Sequence, residues 1–266
     1  MRVNNNPGAL SVAKWYQRAT AGVQDSMKKL SSGQRILKPS DDAAGLAISE
    51  KFRSQARNSA MASNNVDNAR AFLQTADGWM QNVHDMLGRM SELAIEANDG
   101  TKTADDISNL NDEFTALQTE INNVISSRAT YNTAAVFGAA TRTIQVGPDN
   151  GQTFTSAAID LATDLAGTAG LSGVDDATAV TTLAADIATL AGNRAAAGSE
   201  LSQLEFIQEG LQNYIENISA AESQIRDVDV AAETVKFSKF QILSQTSTAM
   251  LAQANSLPQN VLSLLR

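Results

Sequence analysis

The sequence predicts a mainly α protein: a long antiparallel helical bundle or coiled coil with one small β-hairpin, its N- and C-terminal helices paired. Three observations predict it. Apolar residues recur at alternating intervals of three and four along most of the chain, which marks helices that bury one seam. Aromatic residues are only 5% of the 266 and Pro occurs 4 times, a composition suited to long helices with shallow, small-residue contacts. A single stretch changes to strict alternation around turn-forming residues.

The first helix carries Val12, Tyr16, Ala19, Val23, Met27 and Leu30 on one stripe and ends near Ser31-Ser32-Gly33. The second begins after Pro39-Ser40-Asp41-Asp42, where a proline is followed by residues suited to an N-cap. Its seam passes through Phe52, Ser59 and Ala62, then runs Val66, Ala69, Leu73, Ala76, Met80, Val83, Leu87, Met90, Ala94 and Ala97 without a polar break. From Val66 onward that is a rod of roughly 45 to 50 Å. Asn98-Asp99-Gly100-Thr101 reads as a stop and turn, so the third helix, with Ile107, Leu110, Phe114, Leu117, Ile121 and Val124, is an antiparallel neighbour.

Next, Thr141 to Val146 alternates, Gly147-Pro148-Asp149-Asn150-Gly151 supplies the turn, and Gln152 to Thr155 returns, giving a hairpin over 141–155. Residues 156–180 follow as a short variable loop. Within it Leu165 to Asp176, rich in Gly, Ala, Thr and Asp, is expected at the far end of the bundle, where its deletion would be mild. The longest helix then runs from Leu183 through Leu190, Ala197, Leu204, Leu211 and Ile218 to Ile225. Arg194, Gln208 and Glu222 interrupt its seam, as polar residues do when they fix register. A last helix spans roughly Val235 to Ala254, amphipathic like the first and so placed to pair with it.

Chemistry is limited by inventory. The one histidine, His84, has no ligand companions, and cysteine is absent, so neither a zinc site nor a disulfide is available. No phosphate-binding glycine motif occurs, and the pairs Asp41-Asp42, Asp105-Asp106 and Asp175-Asp176 read as helix caps and loop residues rather than calcium ligands. The expectation is a non-enzymatic protein without cofactors. A formal net charge of -9 with no basic run argues against nucleic acid. Phe240 to Leu265 carries no charge but many amides and hydroxyls, which suits burial among neighbouring proteins and not a bilayer. Met1 to Pro7 lacks the apolar core of a Sec-type signal peptide, so export would need another route.

Longer motifs are more specific than these periods. Leu30-Ser31-Ser32-Gly33-Gln34-Arg35-Ile36 and Asp41-Asp42-Ala43-Ala44-Gly45-Leu46-Ala47-Ile48 closely resemble the N-terminal signature of bacterial flagellins. Gln241-Ile242-Leu243, Met250-Leu251-Ala252-Gln253-Ala254-Asn255 and Pro258-Gln259-Asn260-Val261-Leu262-Ser263-Leu264-Leu265 resemble the flagellin C-terminus. Ser91 to Ala94 and Ile225 to Asp229 fit the same family. The resemblance covers about 1–155 and 180–266; Pro7-Gly8 and the short middle depart from the usual pattern.

That resemblance implies a self-polymerising subunit of the flagellar filament that serves motility. Its inner layer would be residues 1–41 with 229–266, and its outer layer 42–228. Subunit packing would fall to Val12, Tyr16, Val23, Leu30, Ile242, Leu251, Val261, Leu262, Leu264 and Leu265. The resemblance further implies type III export to the extracellular filament, a chaperone on the C-terminal tail, and cap and hook-filament junction proteins as partners. Arg89, Leu93 and Glu113 resemble positions read by a Toll-like flagellin receptor. A hook-filament junction protein is the alternative within the same class. A protease domain, hosted by some flagellins, has no room in this middle segment.

Overall fold

The computed structural model describes residues 6–174 and 178–264, with 257–264 described in backbone only. The protein divides into two compact units: residues 1–54 with 217–266, and residues 55–216.

The first unit is built on helices α1 (Pro7–Ser32) and α7 (Val230–Leu264). Pro7 starts α1 at a position where a missing N–H costs nothing, and the Asn6 side chain accepts from Ala9 N–H at 3.1 Å. Gly33 ends the helix at φ +71°. The backbone then fastens to the segment before α7: Arg35 N–H donates to the Arg226 carbonyl at 2.7 Å and Val228 N–H to the Gly33 carbonyl at 3.0 Å. Asp41 accepts from Leu37 N–H and Lys38 N–H, and Asp42 from Gly45 N–H, so this acidic pair caps a turn and a helix start. Asp229 does the same for α7 by accepting from Ala232 N–H.

The second unit holds the main core. Helix α2 (Ala43–Ala97) buries every predicted seam residue from Val66 to Ala97, most of them completely. Helix α3 (Ala104–Asn123) opens on a reciprocal Thr103–Asp106 capping box and seats Phe114 and Ile121 in the same core. Along α6 (Ala179–Arg226), Leu183, Leu190, Ala197, Leu204 and Leu211 complete it. Two of the polar interruptions are answered internally. Arg194 Nε donates to Asp77 at 2.8 Å, and the Gln208 amide donates to Ser63 Oγ at 2.9 Å. The two contacts lie two heptads apart on each helix, which fixes α2 and α6 antiparallel in a single register.

The hairpin pairs β3 (Arg142–Gln145) with β4 (Thr153–Ser156), Arg142 opposite Ser156 and Gln145 opposite Thr153. A smaller antiparallel pair not foreseen from the sequence, β1 (Thr130–Tyr131) with β2 (Ala134–Ala135), follows a π-helical turn at Val124–Arg128.

The segment after the hairpin corrects the expectation of a peripheral loop. It contains two single-turn helices, α4 (Leu161–Asp164) and α5 (Ala166–Ala169), and buries Leu161, Leu165, Thr168, Leu171 and Val174 in the core. Asp186, itself buried, accepts from Thr168 N–H at 2.7 Å and from its hydroxyl at 2.6 Å. The Gln118 amide donates to the carbonyls of Thr168 and Leu171, and Asn111 accepts from Val174 N–H. The buried positions recur at intervals of three and four residues, but Thr168 holds one of them and Ala, Gly and Thr fill the places between, so the segment has the composition of a loop. Asp175 and Asp176 lie outside the described residues.

Candidate assembly surface

Helices α1 and α7 pair antiparallel. The Asn6 amide donates to the Ala254 carbonyl at 2.7 Å near one end, and Ser26 Oγ donates to Glu233 at 2.7 Å near the other. Between them the helices approach closely: a Cβ at Gly22 would lie 2.7 Å from the Phe240 ring. Glycine there lets the ring rest on the α1 backbone. Ser26 and Glu233 are both buried, and Glu233 also accepts from Lys236 Nζ at 3.0 Å. The Ser26 hydrogen bond is the chief reason that the Glu233 carboxyl is held below the ordinary glutamate range. Sequence periodicity missed Ser26, Glu233 and the Gly22–Phe240 contact; a small residue at position 22 of an amphipathic helix was the one available signal.

The predicted stripe of α1 divides. Ala19 is buried and Val12, Val23 and Leu30 are half-buried, whereas Tyr16 and Met27 are exposed, as are Leu10 and Trp15, the last at 62%. On α7, Leu251 is half-buried, while Ile242 at 62% and Val235 at 69% stand out with Val230, Leu243 and Met250. Val230, Ala231, Val235, Ile242 and Leu243 line a shallow apolar groove along one face of α7, with Lys239 beside them. Val261, Leu262 and Leu264 belong to the backbone-only end of α7, and Leu265 lies outside the described residues.

The three residues singled out for a receptor do not form one surface. Arg89 on α2 grips Glu113 on α3 with two hydrogen bonds, at 2.8 and 3.1 Å, and reaches Glu92 at 3.1 Å. These carboxylates raise the already high pKa of the guanidinium, and Arg89 in turn lowers that of Glu113. Leu93, by contrast, is fully buried in the core. Its side group packs inside the subunit and is not available to a partner on the folded surface. His84 is half-buried on α2, and among the described residues no cluster of three or more His, Asp or Glu could hold a metal ion. No described helix is long and apolar enough to cross a membrane.

A family profile described as the bacterial flagellin N-terminal helical region matches residues 3–142, and one described as the bacterial flagellin C-terminal helical region matches 180–265. The protein belongs to the bacterial flagellin family. A flagellin of Halalkalibacterium halodurans is 40% identical over 276 residues, and one of Bacillus subtilis 38% identical over 305, each alignment covering 100% of both sequences. Among solved structures, Bacillus cereus flagellin superposes with a TM-score of 0.51 at 28% identity, covering 60% of this protein and 94% of that one. Flagellin is a structural protein and not an enzyme, and it homopolymerises; this protein is accordingly a filament subunit of the flagellum. Relatives that are flagellins over their whole length place that role ahead of the hook-filament junction protein.

Proposed function

We propose that the outward faces of α1 and α7 are the polymerising surface of this flagellar filament subunit. The carrying observation is the run of large apolar side chains that these paired helices leave exposed, Trp15, Val235 and Ile242 foremost. On α7, Val230, Val235, Ile242 and Leu243 share one groove, and contiguous apolar surface of this kind marks a site of protein association. Residues 1–41 and 229–266 then make the inner filament layer and 42–228 the outer one. The half-buried Val12, Val23, Leu30 and Leu251 support the pair from within, while Tyr16 and Ile242 meet neighbouring subunits, together with Val261, Leu262, Leu264 and Leu265 at the uncharged tail. Before assembly the same tail is the docking site for an export chaperone. The subunit leaves the cell by the flagellar type III route and adds beneath the cap, above the hook-filament junction proteins.

Growth on filament seeds, followed by electron microscopy, tests this reading. Removing Val261 to Arg266 should leave a soluble, helical subunit that no longer elongates seeds. Ile242→Lys should do the same, because its side group is already exposed in the free subunit and its replacement disturbs no internal packing. Normal filaments from both variants would refute the assignment.

Recognition by a Toll-like flagellin receptor is proposed for Arg89 and Glu113 alone, since these two are exposed and Leu93 is not. Arg89→Ala should lower signalling in a reporter-cell assay while leaving circular dichroism unchanged. Undiminished signalling would remove Arg89 from the contact.

A further inference from the structure

We propose that Asn150 is a site of spontaneous deamidation, through attack of the Gly151 backbone nitrogen on the Asn150 side-chain amide. The reaction requires an asparagine side chain free to swing toward the following residue, no Cβ on that residue to obstruct the approach, and a backbone nitrogen that is not occupied in a hydrogen bond. Asn150-Gly151 is the one Asn-Gly pair in the sequence. It sits in the turn between β3 and β4, outside both strands, with both residues exposed.

The turn around the pair is well fastened. Val146 N–H donates to the Gln152 carbonyl at 2.9 Å, the Gln145 amide donates to the carbonyls of Gly147 and Asp149, and Asp149 N–H donates to the Gln152 amide oxygen. Among the described residues, none of these bonds engages the Asn150 amide or Gly151 N–H. Gly151 lies at φ +89°, in backbone territory that glycine occupies readily. The attacking and attacked groups are therefore both uncommitted at the tip of an otherwise held turn.

Other places with related sequence lack this combination. At Asp77-Gly78 the aspartate accepts from Arg194, and both residues lie inside α2, where backbone N–H groups are occupied in helical hydrogen bonds. At Asp99-Gly100 the aspartate carboxylate accepts from Thr101 N–H at 3.1 Å, and an ionised carboxylate has no leaving group to lose. Asn58-Ser59 and Asn255-Ser256 are inside helices.

In the reaction the Gly151 nitrogen forms a bond to Cγ of Asn150, the Cγ–Nδ2 bond breaks, and ammonia leaves, closing a five-membered imide. Water then opens the imide at one carbonyl or the other, giving aspartate or isoaspartate. Either product places a new negative charge beside Asp149, and isoaspartate also lengthens the backbone by one methylene within the turn. Because the attacking nitrogen must shed its proton, the rate rises with pH.

The test incubates the folded, full-length protein at mildly alkaline and mildly acidic pH and follows it by peptide mass mapping. An amide-to-acid mass gain at Asn150 should appear, as paired aspartate and isoaspartate products, an order of magnitude faster under alkaline conditions. Asn150→Gln, which would have to close a larger ring, and Gly151→Ala, which obstructs the approach, should each suppress it by a similar factor, with the fold checked by circular dichroism. An Asn150 that survives in the folded protein while a urea-unfolded control converts would overturn the proposal. Equal conversion of Asn58 or Asn255 in the folded protein would also overturn it.

Discussion

At the scale of single residues, one buried carboxylate ties the terminal helices to solution pH. Glu233 is held in its ionised form chiefly by Ser26 and secondarily by Lys236, with Lys29 adding attraction. Its folded pKa lies below the ordinary glutamate value of 4.5, so the unfolded state binds the proton more tightly. The stability it contributes is therefore present above that value and is lost as pH falls through the lowered folded pKa. Glu233→Gln should flatten the acid limb of α1–α7 stability, followed by circular dichroism, while keeping an acceptor for Ser26. An unchanged acid limb would show that other carboxylates control it. Nothing local in the sequence announces this pair: Ser26 and Glu233 are 207 residues apart, and each by itself reads as an ordinary polar residue. Leu93 shows the converse. Its burial was legible from the position beside seam residues Met90 and Ala94, even though motif resemblance drew attention to it as a contact residue.

At the scale of elements, long uninterrupted apolar periods were readable and short or interrupted ones were not. The Val66 to Ala97 seam is buried as its spacing requires, because a helix presents three- and four-residue intervals to one face. The hairpin was equally readable from alternation around Gly147 to Gly151. The β1–β2 connection was not, since Asn132 and Thr133 both adopt positive φ, and a β-branched threonine gives no sequence warning of that conformation. The segment from Leu161 to Val174 failed to show for a different reason. Its buried positions, Leu161, Leu165, Thr168, Leu171 and Val174, recur at intervals of three and four residues, but Thr168 interrupts the apolar series, and hydrogen bonds to Asp186, Gln118 and Asn111 that no local pattern announces hold the segment in place. Leu165→Ala should consequently lower stability by about 2–5 kcal/mol, the usual cost of opening a core cavity. Urea unfolding of the subunit measures it, and a loss within about 0.5 kcal/mol, as on an exposed surface, would restore the peripheral-loop reading.

At the scale of the whole molecule, the two units differ in what they can bury unaided. Residues 55–216 share one continuous core from Ala62 to Leu211, in which most members are almost completely shielded. In the other unit, α1 buries only Ala19 and Ser26 and leaves Leu10, Trp15 and Met27 in water, while α7 exposes Val230, Val235, Ile242, Leu243 and Met250. Helix pairs with so little apolar burial barely offset the conformational entropy of ordering, roughly 1–2 kcal/mol per residue in the backbone alone. Backbone amides of α1 and α7 should therefore exchange with deuterium within the early time points in the free subunit, while those of α2, α3 and α6 inside residues 55–216 remain protected. In the filament, neighbouring subunits would cover Trp15, Val235 and Ile242, and protection of α1 and α7 should rise toward that of the core. Mass-spectrometric hydrogen exchange on subunit and filament from one preparation makes the comparison directly. Equal protection of both units in the free subunit would mean that the terminal pair is stable alone, and assembly would then be docking of a finished surface and not the completion of an incomplete one.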